Sequence, residues 1–233
     1  MSGAYSLGAM GINETWPRIA AWLEEEVPET AASLRPPVDF AAVAARTEGF
    51  PEVPEQLQQL YRLFDGTDRT PAGYVYPMFR ALSAGEAVTE WQMLTGLWRE
   101  LAQNEEQAML ESAQDPLQMN LLLMAGEPVP EPLNPYDPLR LGREAAGTPS
   151  HDFLPEFIPF AENMSGDYLF VDTREGPAHG CIRQYWKESA DSEATLWDSP
   201  GELLEALEHA LRTGEALAGF RPTPRAGTLN WEP

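Results

Sequence analysis

The chain is poor in the residues from which most catalytic and metal sites are built. Among 233 residues there is one cysteine, Cys181, and three histidines, which excludes an intramolecular disulfide and a cysteine-based metal cluster. A lone cysteine is typical of the reducing cytosol, so a cytoplasmic location is expected. No run approaches the roughly 18 apolar residues that a membrane span needs, and the N-terminus has no positive charge of the signal-peptide kind. We therefore expect no membrane association.

Positive charge is also scarce. Lysine and arginine total 15 against 37 aspartate and glutamate residues, which gives a formal net charge of -22. Such a charge repels phosphate, so nucleic acid is excluded as a partner. It would attract a basic protein by long-range steering. The alternative is plain solubility, in an organism whose proteins are generally acidic.

Catalytic motifs are missing as well: the chain has no G-x-S-x-G elbow, no Walker loop and no Rossmann glycine motif. A metal site from His151, Asp152 and Glu156 is conceivable, but the spacing matches no known signature. His179 and Cys181 would share one face of a strand, yet Cys181 is better explained as a small buried apolar residue. We therefore predict no enzyme, with no catalytic, cofactor-binding or metal-binding residues and no cofactor.

What is present is a globular composition, with 43% hydrophobic residues. The pattern predicts one domain over residues 13–218, with an N-terminal tail at 1–12 and a mobile, proline-rich C-terminal tail at 219–233. Prolines crowd residues 126–149, which predicts an irregular loop inserted in the domain.

Apolar periodicity predicts several helices. One contains Trp16, Ile19 and Leu23, and a second is capped by Asp39. A third begins at Pro54 and is ended by Gly66. Its buried face has four residues: Leu57, Leu60, Tyr61 and Phe64. Two further helices begin at capping boxes, Ser83 with Glu86 and Ser199 with Glu202. The helix after Ser83 has a buried seam of Trp91, Leu94, Trp98 and Leu101.

Strand patterns are concentrated between residues 157 and 186. Two apolar runs flank a polar turn at Gly166-Asp167, which predicts a β-hairpin over Phe157–Asp172. A further strand is predicted at 180–186, and another at 74–79.

Four aspartates, Asp65, Asp68, Asp167 and Asp172, lie at the predicted ends of these elements. One interpretation is turn and cap chemistry. The other is a cluster on one rim that contacts a basic partner, with an exposed aromatic such as Trp197 as its anchor. These five residues are the candidate partner-binding residues.

The ordered motifs together resemble the SUKH superfamily, in particular its SMI-one/KNR-four group. The resemblance spans residues 15–217 and comprises a Trp16 helix, Glu48 before the Pro54 helix, Tyr61-x-x-Phe64-Asp65-Gly66, Leu82 before the Trp91 helix, Phe157-Ile158-Pro159-Phe160-Ala161, Gly166-Asp167-x-Leu169-x-x-Asp172, Gly180-x-Ile182, and Ser199 before Leu203-Leu204.

This resemblance implies an α+β fold, with helices packed on a mixed, largely antiparallel sheet. It also implies a non-catalytic protein-binding module. Many bacterial relatives are immunity proteins that neutralise toxins, often nucleases, which would make the partner a basic protein toxin. Fungal relatives are regulatory scaffolds, so a regulatory protein without a toxin partner is the alternative. The oligomeric state is left open by the sequence.

Overall fold

The computed structural model describes residues 11–96, 144–150, 152–190 and 195–233. In these ranges the helices are α1 Ile12–Glu26, α2 Pro28–Ala32, α3 Phe40–Ala44, α4 Glu55–Tyr61, α5 at 84–96 and α6 Pro200–Thr213. The strands are β1 Arg80–Ala81, β2 Phe157–Glu162, β3 Tyr168–Asp172, β4 Ile182–Tyr185, β5 Arg221–Arg225 and β6 Thr228–Glu232. The fold is α+β, as predicted. No helix in these ranges has the length and apolar character to cross a membrane.

The main sheet has the strand order β1-β2-β3-β4, and each neighbouring pair is antiparallel. The predicted hairpin is confirmed, because β2 and β3 pair from Phe157 opposite Asp172 to Glu162 opposite Tyr168. A bulge between Pro159 and Ala161 interrupts their register. Proline cannot donate to a ladder, and it is found in strands mainly at edges and bulges.

Every residue of β2 and β3 is buried, because both faces of the sheet are covered. On one face Ile158, Leu169 and Val171 belong to a large core shared with α1, α4 and α6. On the other face a smaller, mainly aromatic cluster contains Trp91, Phe153, Leu154, Phe157 and Phe170. Phe157 and Phe170 stack with their ring centroids 4.2 Å apart. Two-sided burial explains why these strands are continuous apolar runs and not alternating ones.

The predicted buried face of α4 is confirmed, since Leu57, Leu60, Tyr61 and Phe64 are all buried. The predicted end of the helix is wrong, because α4 stops at Tyr61 and Gly66 lies beyond it. Glycine is needed at position 66 for a different reason. Its φ is +70°, and a neighbouring backbone segment leaves no room for a side chain. A Cβ on it would lie 2.5 Å from the backbone nitrogen of Ser83, and closer still to the carbonyl carbon of Leu82.

The strand predicted at 74–79 is also wrong. Tyr76 and Phe79 exchange backbone hydrogen bonds of 3.1 Å across a tight turn at Pro77-Met78. Pro77 fixes the turn and has no N–H to give to a ladder. Only Arg80 and Ala81 then join the sheet.

The predicted C-terminal tail is instead a folded hairpin. Strands β5 and β6 pair through a two-residue turn, Ala226-Gly227, in which both residues have positive φ. The hairpin is attached to the body because the Leu229 N–H donates to the Thr30 hydroxyl at 2.9 Å. Leu229 and Trp231 are buried. Residues 1–10, Trp98, Leu101 and the predicted loop up to residue 143 lie outside the described residues.

Candidate partner-binding surface

The five candidate residues are not brought together on an exposed rim. Asp68 is the exposed one, with its side chain 56% accessible. Asp65 is half-buried, and Asp167 and Trp197 retain only 8% and 9% of their accessible surface. Asp172 is completely buried. The prediction that Asp167, Asp172 and Trp197 provide surface contacts is therefore wrong for the folded chain.

Asp172 is buried because its charge is compensated inside the protein. Its carboxylate lies 2.7 Å from the Arg174 guanidinium and 3.9 Å from that of Arg183. The same carboxylate accepts a hydrogen bond from the Gly147 N–H at 2.9 Å, and both arginines donate to the Thr148 carbonyl. This cluster fixes the end of the predicted 126–149 loop against the sheet. A buried carboxylate needs such partners, because the free-energy cost of removing an unpaired charge from water would otherwise destabilise the fold.

Asp65 and Asp167 have capping roles. Asp65 accepts the Ala84 N–H at 2.7 Å, at the first turn of α5. Burial raises the pKa of Asp65, although the Ala84 hydrogen bond and the charge of Arg35 oppose the increase. Asp167 accepts from the Asn163 side chain at 2.7 Å and from the Lys187 N–H at 2.9 Å, which closes the β2–β3 turn. For these two residues the geometry agrees with the turn-and-cap interpretation.

Asp68 is the first member of a chain of ion pairs that alternate in sign. The pairs and their distances are Asp68–Arg35 at 3.2 Å, Arg35–Glu86 at 3.0 Å, Glu86–Arg80 at 3.0 Å, Arg80–Glu162 at 2.6 Å and Glu162–Arg69 at 3.2 Å. Three carboxylates and three guanidinium groups compensate each other. Because this charge chain is neutral as a whole, it offers little net attraction for a basic partner.

Glu86 connects two arginines of the charge chain, Arg35 and Arg80. It is also part of the predicted capping box, which is confirmed. The Glu86 N–H donates to the Ser83 hydroxyl at 3.2 Å, and the Ser83 N–H donates to the Glu86 carboxylate at 2.9 Å. Burial alone would raise the pKa of Glu86. Hydrogen bonds from Arg80 and from the Ser83 backbone, with the charges of Arg80 and Arg35, hold that pKa at about 2.

A second group of carboxylates lies around a cleft of about 500 Å³ between the start of α4, the β3–β4 turn and the start of α6. Of its two glutamates, Glu52 has no lysine or arginine within 4.0 Å among the described residues, and Glu55 lies 3.7 Å from the exposed Arg62. Glu52, Glu55 and His179 line this acidic cleft and are exposed, and Ser199 and Pro200 form one wall. The first amides of α6 are already occupied, since the Gly201 N–H donates to Gln56 and the Glu202 N–H donates to the Ser199 hydroxyl. The cleft therefore presents hydrogen-bond acceptors and negative charge, which suit a cationic side chain.

Sequence reasoning missed Glu52 and Glu55. The run Pro51-Glu52-Val53-Pro54-Glu55 predicts a helix start at Pro54, and that pattern alone does not indicate a cleft lined by the two glutamates. Prolines on either side keep Glu52 out of the helix, and this alternation of glutamate with proline is the signal that could have identified the cleft.

The Cys181–His179 pair is not a dyad. Cys181 is completely buried, as predicted, and burial raises the pKa of its thiol. The His179 ring is exposed and donates from Nδ1 to the Arg174 carbonyl at 3.0 Å. His151 lies outside the described residues, and within them no group of three or more possible metal ligands is found.

Comparison of the chain with protein-family models and with curated proteins finds no match.

Proposed function

We propose that this chain is a non-catalytic protein-binding module that binds and neutralises a basic toxin, as immunity proteins do. The observation that carries the proposal is the distribution of charge over the described surface. Most arginines there are paired with carboxylates, in the charge chain, in the Asp172 cluster and in single pairs such as Arg18–Glu208 and Arg225–Glu232. Positive charge is thus neutralised locally.

Many exposed carboxylates have no such compensation. Those without a lysine or arginine within 4.0 Å in the described part of the chain include Glu24, Glu25, Glu26, Glu29, Glu48, Glu52, Glu175, Glu188, Asp198 and Glu202. The resulting field is negative and repels phosphate. A nuclease must present positive charge to hold nucleic acid, and an acidic surface is complementary to that charge.

The resemblance to the SUKH superfamily supports the same proposal. In that family the alternative is a regulatory scaffold without a toxin partner, and an experiment separates the two. The chain is co-expressed with the product of the neighbouring gene, and growth is compared with that of cells expressing the neighbouring gene alone. Rescue of growth together with a purified complex supports neutralisation. Absence of both overturns it.

The location of the contact is tested with matched charge reversals. Glu52→Lys with Asp198→Lys alters one residue that lines the acidic cleft and the exposed neighbour of its Ser199 wall. Glu24→Lys with Glu25→Lys changes the net charge equally at the end of α1. We expect the first pair to slow association about tenfold and the second only a few-fold. The association rate of the wild-type protein should also fall as NaCl rises from about 50 to about 500 mM. Equal effects of the two pairs would show that no local contact exists at the cleft.

A further inference from the structure

An apolar groove of about 330 Å³ includes Leu196 and Trp197 in its lining, close in sequence to the Ser199 and Pro200 wall of the acidic cleft. Its lining includes Met78, Leu169, Trp186, Leu196, Trp197 and Phe220. In the described part of the chain five large hydrophobic residues are exposed, and three of them, Met78, Trp186 and Leu196, line this groove. Single exposed apolar residues are ordinary, but a contiguous group around a concavity marks a binding surface.

The backbone at Met78 gives a second, independent observation. Met78 is the third residue of the Tyr76–Phe79 turn, after Pro77, and it has φ +65°. This is the position of a type II turn at which glycine is favoured and an unbranched apolar residue is rare. The turn holds the Met78 side chain out of the core, with 46% of its surface exposed. A strained backbone that exposes an apolar side chain is a feature of functional surfaces.

The groove and the acidic cleft share one wall. Leu196 and Trp197 line the groove, whereas Ser199 and Pro200 line the cleft. Trp197 and Ser199 are two residues apart, so the chain limits their separation to about 7 Å. Asp198 lies between them, exposed and without a cationic partner among the described residues. An apolar anchor and negative charge are thus adjacent within the span of a short peptide segment.

Charge decides between the possible occupants. A second copy of this chain would carry its own net charge of -22 to the groove, and the two copies would repel each other. An apolar segment flanked by basic residues is complementary both to the groove and to its acidic border.

We propose that the groove is the anchoring site for a basic protein segment, which inserts an apolar side chain between Met78, Trp186 and Leu196. A lysine or arginine beside that side chain contacts Asp198 and the acidic cleft. This inference rests on the proposed function, because it specifies the chemistry of the partner. The Met78 thioether adapts to differently shaped apolar side chains, as methionine does at other binding surfaces.

The test uses 12-residue peptides displayed on phage and selected against the full chain, with the Met78→Gln variant as counter-target. We expect basic peptides that contain a large apolar residue. A synthetic copy of a selected peptide should bind about tenfold more weakly to Met78→Gln and to Leu196→Gln, as truncation of an anchor does. Met93→Gln is the matched control, because Met93 is 49% exposed, lies on α5 and is not part of the groove. It should change the affinity less than about twofold.

The remaining outcomes also decide the inference. Selection of no peptide, of acidic peptides, or of peptides that bind all three variants equally would overturn it. A dimer in sedimentation equilibrium that Leu196→Gln dissociates would assign the groove to a second copy and overturn it too. Growth rescue by a complex that Met78→Gln and Leu196→Gln leave unchanged would retain the proposed function and refute the groove. Peptide binding at the groove without growth rescue would support the groove as a binding site and refute the proposed neutralising function.

Discussion

The Arg80 guanidinium and the Glu162 carboxylate form a buried ion pair with a shortest distance of 2.6 Å, and they are separated by 82 residues of chain. Both side chains are almost fully inaccessible, with 3% and 5% exposure. Arg80 belongs to β1 and Glu162 to β2, directly opposite each other in the sheet. The pair therefore fixes the short edge strand to the central hairpin.

Removing one member of this pair should be strongly destabilising. We expect Arg80→Met to lower the free energy of unfolding by about 3–5 kcal/mol, because among the described residues it leaves buried Glu162 with Arg69, at 3.2 Å, as its one cationic partner. Arg80→Met combined with Glu162→Met should recover part of that loss, since no buried carboxylate then remains at position 162. Urea denaturation of the two single variants and the double variant gives the coupling energy. Strict additivity would show that the two charges do not interact.

Glu86 makes stability depend on pH. Its pKa is lowered to about 2 in the folded chain, below the ordinary value of 4.5, so its contribution is complete above the unfolded pKa and is lost as the pH falls through the folded one. Near pH 6 the free energy of unfolding of the wild-type protein should be about 2 kcal/mol larger than that of Glu86→Gln. This difference should shrink toward zero near pH 2. Glu24→Gln is the control, because Glu24 is exposed and has no lysine or arginine within 4.0 Å in the described part of the chain. A wild-type advantage over Glu86→Gln that stays constant across this range would contradict the assignment.

Local patterns predicted those parts of the fold in which neighbours in sequence determine the structure. The capping box of Ser83 and Glu86 needs only three residues of spacing, and the Phe157–Asp172 hairpin needs only two apolar runs and a turn. The face of α4 was identified in the same way, and Phe64 stacks on Trp16 at 4.3 Å between ring centroids.

The misplaced site residues depended on distant partners. The carboxylate of Asp172 is buried by Arg183 and by residues 147–148, which are distant from it in sequence. A local pattern cannot show these contacts, so the proposal of Asp172 as a partner-binding residue was wrong. The C-terminal hairpin was missed because Pro222 and Pro224 indicate a loop. It is stabilised by Thr30, about 200 residues earlier in the chain.

Gly66 should be irreplaceable. We expect Gly66→Ala to lower the free energy of unfolding by about 3 kcal/mol or more, because the methyl group meets the Leu82–Ser83 backbone and φ is +70°. Gly85→Ala on α5 is the matched substitution, because a Cβ there meets nothing within 4 Å. It should be neutral or stabilising by up to about 0.5 kcal/mol. Thermal denaturation distinguishes the two, and equal effects would refute the close approach.

The C-terminal hairpin should contribute to global stability. Deleting residues 219–233 removes buried Leu229 and Trp231, and we expect a loss of about 3 kcal/mol or more in the free energy of unfolding. Asn230→Ala, at the exposed position between them, should change stability by less than about 0.5 kcal/mol. Calorimetry of the truncated chain is the measurement. An unchanged melting temperature would mean that the segment is the detached tail its prolines predicted.

Met78 should show opposite effects on stability and binding. Glycine adopts φ +65° without the steric penalty of a side chain, so Met78→Gly should stabilise the fold by about 0.5–1 kcal/mol. The same change removes the anchor side chain and should weaken binding of the selected basic peptide. Ala226→Gly is the control, because Ala226 also has positive φ, at 47°, but does not line the groove. It should gain stability without losing affinity. If Met78→Gly lowered stability and left the peptide affinity intact, Met78 would be a packing residue of the fold and not part of a binding surface.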